Sequence, residues 1–253
     1  MDLVSDLHGA VQRGEIVAAY QPQVDLDSLE IVAVEALARW HHPGYGLVPP
    51  GIFIPLAEAH GLIDEIGVGM IDEAVGQLAE WNSRGFDLEV AINVSALQLK
   101  HPDFLDRLQQ NFLEHRIDPS RLVIEITESL PVVDSADGIS RLTELADVGL
   151  TVSVDDFGSG YSALADLVGL PAREIKIDRS LIQEADASPL LLKAVVETAH
   201  ARGMRVVAEG IETQTHLALA RELQCDRGQG HLFGRPNWAH VITSLLTDRD
   251  FGT

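Results

Sequence analysis

A chain of 253 residues, 46% hydrophobic and 23% charged, has room for one large domain or two small ones and enough apolar side chains for a full core. Its formal net charge of -21 repels nucleic acid polymers and anionic lipid, so a phosphate-bearing substrate needs cations gathered at its site. With no apolar run of membrane-span length, no signal-peptide pattern and Cys225 as its only cysteine, the chain is expected in a reducing cytoplasm, without membrane segments or internal disulfides.

In chain order, short apolar runs alternate with longer helical patterns. A first strand is predicted over Ile16–Gln23 and a second over Val32–Leu37. Only Val24–Ile31 joins them, with Asp25-Leu26-Asp27-Ser28 as a turn. That is too short for a crossover, so the pair is expected to be antiparallel. Ile52–Arg84 reads as two helices, Leu88–Val94 as a strand, Phe104–Arg116 as a helix and Leu122–Thr127 as a strand. A helix over Ala136–Val148 follows the capping pair Asp134-Ser135, and then comes a strand over Leu150–Asp155. The remaining predictions are helix Tyr161–Val168, strand Glu174–Asp178, helix Pro189–Arg202, strand Arg205–Glu209, helix Thr213–Leu223 and strand Gly228–Phe233. Arg84-Gly85, Val148-Gly149 and Arg202-Gly203 are helix stops placed just before strands. Eight strands alternating with helices predict an α/β fold: one domain over 1–253, a (β/α)8 TIM-like barrel with an antiparallel first strand. An open doubly wound sheet is the other arrangement this alternation allows. Polar residues at nearly every strand end favour the closed ring.

The most informative run is Leu150-Thr-Val-Ser-Val-Asp-Asp-Phe-Gly-Ser-Gly160. Its strand ends in two adjacent carboxylates, Asp155 and Asp156, and Gly158 and Gly160 then allow a tight loop. Adjacent acids repel unless a cation lies between them; a solvated acidic turn is the plain alternative. The other strand ends extend the pattern: Gln21; Glu35 and Arg39; Asn93 and Ser95; Glu125, Thr127 and Glu128; Lys176 and Asp178; Glu209 and Glu212; Gln229. Acids, one Asn and a single Lys converge. Ligands of that kind suit Mg²⁺ or Mn²⁺, and the absence of His and Cys from the set argues against zinc.

These residues also match a family in order and spacing. Tyr20-Gln-Pro, Glu35-Ala-Leu-Ala-Arg-Trp40 with His42-Pro43, Phe53-Ile-Pro-Leu-Ala-Glu58, Asn93-Val-Ser95 and Glu125-Ile-Thr-Glu128 are followed by Asp155-Asp-Phe-Gly-Ser-Gly-Tyr-Ser162, Lys176-Ile-Asp178, Val207-Ala-Glu-Gly-Ile-Glu212, Gln229-Gly230 and Gly234-Arg-Pro236. The chain resembles EAL-domain phosphodiesterases, which hydrolyse cyclic di-GMP to the linear dinucleotide pGpG, over nearly its whole length. The resemblance implies two Mg²⁺ or Mn²⁺ ions per site. Glu35, Asn93, Glu125 and Asp155 would hold one; Asp155 would bridge to a second, held also by Asp156, with Glu209 and Gln229 completing that ion's shell largely through waters. Glu35, Lys176 and Glu209 form the implied catalytic set, Lys176 positioning water or stabilising charge at the phosphate. Gln21 and Arg39 would bind cyclic di-GMP, Arg39 forking onto a phosphate. Glu128 and Glu212 are assigned to anchoring loops, although Glu212 could equally open the next helix. A homodimer is implied as well.

The family usually has an aromatic residue after Gln229-Gly230, where this chain has His231. Trp40, Phe53 and Leu56 are expected as packing, His42-Pro43 as a turn, Tyr161 as loop packing, and His8, His60, His101 and His115 at the surface. Two other functions stay in view. A catalytically weak or inactive member would serve as a cyclic di-GMP receptor or interaction module, but the complete acid and lysine set favours the enzyme. A glycosidase would need two carboxylates flanking one bond, whereas adjacent strand residues point to opposite faces.

Overall fold

The computed structural model of the protein describes residues 3–127, 136–158, 169–183 and 189–248. After a short helix α1 (Leu3–Leu7), β1 (Ile16–Asp25) and β2 (Ile31–His42) form an antiparallel pair, with Gln21 opposite Glu35. The Asp25 side chain closes the turn between them, accepting from the backbone N–H groups of Asp27 and Ser28 at 3.1 and 2.7 Å. A small hairpin strand β3 (Gly46–Val48) folds back on β2, and helices α2 (Pro50–Ala59) and α3 (Ile63–Ser83) follow. Next come β4 (Glu89–Asn93), α4 (Ala96–Leu99), α5 (Phe104–His115), β5 (Leu122–Thr127), α6 (Ala136–Asp147) and β6 (Thr151–Phe157). The chain continues with β7 (Glu174–Ile177), α7 (Arg179–Gln183), α8 (Pro189–Ala201), β8 (Arg205–Ala208), α9 (Gln214–Glu222), β9 (Arg227–Gln229) and α10 (Ala239–Asp248).

The strand order β1-β9-β8-β7-β6-β5-β4-β2 closes on itself through β1–β2, so the sheet is a barrel and the open doubly wound arrangement is excluded. Strand β1 runs antiparallel to both β2 and β9, and the pairs from β2 round to β9 through β4–β8 are parallel. The period-2 alternation of each strand then separates two environments. Val34, Val90, Ile92, Ile124, Val152, Ile175 and Val206 are buried among the apolar faces of the helices. Side chains of the opposite parity fill the barrel interior. Burying each such Val or Ile contributes about 1.5–3 kcal/mol. Tyr20 meets Trp81 edge-on at 5.1 Å, and Trp81 donates its Nε1–H to Thr243 Oγ1 at 2.8 Å, fastening α10 to α3 and β1.

Gly85 and Gly149 have φ values of 85° and 99°, the left-handed conformation that ends a helix most cheaply without a Cβ. Several boundaries differ from expectation. β2 runs on to His42, and β6 continues two residues past Asp155. The predicted strand Gly228–Phe233 shrinks to β9 because a turn follows Gln229. There the chain presses on its neighbour: a Cβ at Gly230 would lie 2.2 Å from the Ile211 carbonyl oxygen. Trp40 and Phe53 are fully buried, Leu56 partly so; His8, His60 and His115 are exposed and His101 half-buried. Glu128, Tyr161, the predicted helix Tyr161–Val168 and the cap at Asp134-Ser135 lie outside the described residues. Among the described residues, no helix is long and apolar enough to cross a membrane.

Candidate active site

At the C-terminal mouth of the parallel strands, interior-facing residues of β2, β4, β5, β6, β7 and β9 and the residue after β8 converge. Lys176, fully buried on β7, sits at the centre. Its Nζ lies 2.8 Å from Glu209 Oε1, 3.0 Å from Glu125 Oε1, 3.2 Å from Asp155 Oδ1 and 3.3 Å from Glu35 Oε2. Glu35 is gripped further: Asn93 Nδ2 donates to its Oε1 at 2.7 Å and Gln229 Nε2 to its Oε2 at 2.7 Å. Gln229 also donates to Gln21 Oε1 at 3.2 Å, and Gln21 donates to the Gly234 carbonyl at 3.2 Å.

Asp155 and Asp156 do not point to opposite faces as neighbours on a regular strand would. The β6–β7 register shifts between Val154 and Phe157, and Asp156 has φ 57°, so the strand bulges there. Asp is among the few residues that adopt this conformation readily. The Asp156 N–H donates to Asp155 Oδ1 at 2.9 Å. As a result Asp155, Asp156 and Glu209 each offer a carboxylate oxygen within 4.8 Å of the others, a group that could hold a metal ion. The bulge removes the opposite-faces argument against a glycosidase. It also supplies what the expected shared ion requires.

The electrostatics follow from burial. Burial pushes Glu125 well above the ordinary carboxylate range, with Glu35 adding to the effect and Lys176 opposing it. Burial raises Asp155 against the pull of Lys176, and raises Asp156 with Asp155 reinforcing. Glu209 is pushed up to about 8, mainly by burial. For Glu35, burial acts upward, but Lys176, Gln229 and Asn93 outweigh it and hold the group below its usual value. Burial likewise opposes the Lys176 charge, yet the surrounding carboxylates raise it well above an ordinary lysine. Lys176 is therefore an ammonium at neutral pH.

The residues fit a divalent cation. Among the described residues both Glu125 oxygens are buried and accept no hydrogen bond, although the Lys176 ammonium lies 3.0 Å from Oε1 as an ion pair. The Asn93 amide, committed through Nδ2 to Glu35, keeps its oxygen for another partner. The donor atoms are all oxygens, as hard cations prefer.

Arg39 and Glu212 stand apart from this cluster. The Arg39 Nη1 donates to the Ala38 carbonyl at 2.9 Å; burial lowers its pKa, and the Glu35 charge acts against that. Glu212 precedes the α9 cap Thr213 and lies 3.5 Å from His231 Nδ1, linking the loops after β8 and β9. This contact occupies the position where an aromatic was expected. A cleft of about 650 Å³ opens beside the carboxylates. Glu35, Asn93, Glu125 and Asp156 lie at one end, and Ile54, Pro55, Ile63, Ile66 and Met70 of α2 and α3 form an apolar wall. Sequence reasoning missed that wall and two buried amides, Gln23 and Gln98. Glutamine at an interior strand position was the available signal for Gln23.

A family model described as EAL domain matches residues 4–236. The chain belongs to the EAL domain family. Among curated relatives, the bifunctional diguanylate cyclase/cyclic di-GMP phosphodiesterase MucR of Pseudomonas aeruginosa is 40% identical over 252 residues, 97% of this chain and 36% of that protein. The cyclic di-GMP phosphodiesterase PA2567 of the same species is 40% identical over 220 residues, covering 86% of this chain and 38% of the relative. The oxygen sensor protein DosP of Escherichia coli is 38% identical over 245 residues, 95% of this chain and 31% of the relative. This EAL chain thus spans about a third of the length of these relatives. A solved structure described as a PaMucR phosphodiesterase, c-di-GMP complex, superposes with a TM-score of 0.89 at 39% identity, covering 96% of this chain and all of that one. The cGMP-bound EAL enzyme Bd1971 gives 0.89 at 30% identity, covering 96% of this chain and 68% of the other.

Proposed function

We propose that this EAL domain hydrolyses cyclic di-GMP to linear pGpG with two Mg²⁺ or Mn²⁺ ions. One observation carries the reading: four carboxylates, Glu35, Glu125, Asp155 and Glu209, ring one ammonium, and a fifth, Asp156, adjoins Asp155 and Glu209, beside a cleft with an apolar wall. Ionised, that set leaves four negative charges uncompensated, the charge of two divalent ions. Such ions, when bound, acidify a water for in-line attack and neutralise phosphate charge.

The chain's own residues do the rest. Glu35, Asn93, Glu125 and Asp155 would hold one ion and Asp155, Asp156 and Glu209 the other. Gln229, its NH₂ turned to Glu35, would act by fixing that carboxylate. Lys176, held among four carboxylates, would place a positive charge beside the reacting phosphate. Arg39 would fork onto a phosphate oxygen and Gln21 would hold the ligand near Gly234. The apolar wall of α2 and α3 would take a purine face and exclude water.

The test is chromatography of cyclic di-GMP incubated with chelator-stripped protein plus Mn²⁺, Mg²⁺, Ca²⁺ or no metal, beside a binding assay. Linear product is expected with Mn²⁺ and Mg²⁺. Ca²⁺ should permit binding with little turnover, because its ligands lie at about 2.3–2.6 Å against about 2.0–2.1 Å for Mg²⁺. Full turnover without metal would overturn the proposal, and tight binding without turnover in any metal would make the domain a receptor.

A further inference from the structure

Gln23 lies on β1 two residues beyond Gln21, 1% exposed. A buried primary amide is costly unless its donors and acceptor find partners. In the antiparallel register Gln23 stands directly opposite Gln229, and its Nε2 donates to Gln229 Oε1 at 2.9 Å. Gln229 in turn donates through Nε2 to Glu35 Oε2 at 2.7 Å. Three side chains on β1, β9 and β2 thus form one relay.

The polarity of the relay is fixed by its last member. An ionised carboxylate only accepts, so Gln229 must turn its NH₂ to Glu35. Its oxygen then faces Gln23 and needs a donor there. A glutamine supplies one; an aliphatic residue or a carboxylate at that position would not. Asn93 and Lys176 hold Glu35 from other directions, but neither touches the far end of the Gln229 amide.

We infer that Gln23 is a positioning residue: through Gln229 it fixes the Glu35 carboxylate and so sets the affinity of the site for its divalent ion. This rests on Glu35 being an ion ligand, as proposed above. Partners bonded directly to a metal ligand, as Gln229 is to Glu35, are commonly worth 10- to 100-fold in metal affinity, and Gln23, one hydrogen bond further out, belongs at the lower end of that range.

The test measures Mn²⁺ binding to chelator-stripped protein by the electron paramagnetic resonance signal of free Mn²⁺, with near-ultraviolet circular dichroism confirming a folded core. Gln23→Met matches the length and removes the donor, and Gln23→Glu keeps length and polarity but only accepts. Gln23→Met should weaken Mn²⁺ binding about 10-fold. Gln23→Glu should weaken it more, because it turns the Gln229 oxygen toward Glu35. In a Gln229→Ala background Gln23→Met should cost nothing further, as expected of residues acting through one contact. Wild-type Mn²⁺ binding in folded Gln23→Met, or losses that add in the double variant, would overturn the inference while Glu35→Ala still abolishes binding. Unchanged binding in Glu35→Ala would overturn the ion-site reading and this inference together.

Discussion

With its ammonium within 3.3 Å of four carboxylates, Lys176 offsets part of the charge that divalent cations would also offset. Replacing it with Met leaves buried acids without their cation, a loss of about 3–5 kcal/mol. Lys176→Met should therefore melt well below the wild type in chelator, and Mn²⁺ should restore part of the difference while turnover stays lost. Equal melting temperatures in chelator would contradict this. Asp156 gives a second test, because its backbone and its carboxylate separate. Asp156→Gly should keep the bulge at φ 57° and near-normal stability but lose metal-dependent turnover. Asp156→Val forces a β-branched residue into the left-handed region and should also cost about 1–2 kcal/mol in a denaturant melt. The acids themselves were legible, since strand ends and period 2 locate them. The bulge was not, because it depends on one dihedral angle that two adjacent Asp codes do not specify. Nor was the amide network: Gln23 looks like any polar residue until β9 is known to lie beside it.

At the level of elements, α3 packs against the strand-end turn that carries Asn93. Ser95 caps α4 with a reciprocal box: the Ser95 N–H donates to Gln98 Oε1 at 3.0 Å, and Gln98 N–H to Ser95 Oγ at 3.3 Å. Gly67 on α3 makes room for this, since a Cβ there would lie 1.5 Å from Gln98 Nε2. Gly67→Ala should push Gln98 out of its box. The expected cost is about 1 kcal/mol of stability for the lost cap, with a larger rise in KM, as Gly67 and Gln98 both line the cleft. A calorimetric melt and steady-state kinetics on the variant check both; an unchanged KM would contradict the cleft's role. Elements with strong periodicity were readable, down to the glycine stops. β3 and α4 are too short for a period to register. α10 turns a buried hydroxyl, Thr243, toward the core, where it meets the Trp81 indole, so its apolar stripe is broken.

For the molecule as a whole, lowered and raised carboxylates pull the pH dependence of stability in opposite directions, and the raised ones gather at the mouth, where only Glu35 is lowered among the five acids. At the N-terminal end Arg205 donates to Glu174 at 2.7 Å and to Glu89 at 2.7 Å, and Arg227 donates to Glu89 at 2.8 Å. Burial acts upward on Glu89, but the two arginines outweigh it and hold its carboxyl below the usual range. A depressed carboxylate contributes stability that is complete above the unfolded value, about 4.3, and is lost as pH falls through the folded value. At the mouth, Glu125, Asp155, Asp156 and Glu209 are raised, the last to about 8. Raised acids favour the folded state while protonated, so that contribution fades as pH climbs from about 4 toward 8. In chelator, stability should peak in mildly acidic solution and decline on both sides. Mn²⁺ should remove the alkaline decline, because it favours the ionised carboxylates. Melting temperatures across pH 3–9 with and without Mn²⁺ would check this, and Glu89→Gln should shrink the acid limb, leaving the part that belongs to the lowered Glu35. A flat profile in chelator between pH 5 and 8 would contradict the raised group at the mouth.

The inverted first strand also sets the end at which the chain enters this barrel. An all-parallel barrel receives its chain at the end away from the chemistry. Here β1 starts at the mouth, beside Trp40, and descends. The residues before it lie along the rim, with Asp6 of α1 paired to His42 at 3.2 Å, on the same strand as Glu35 and Arg39. A pull on α1 would thus act on the lip of the candidate site, with the strand that carries Glu35 and Arg39 as its lever. A twist or strain applied from that side would arrive at the carboxylates before it reached the base of the barrel.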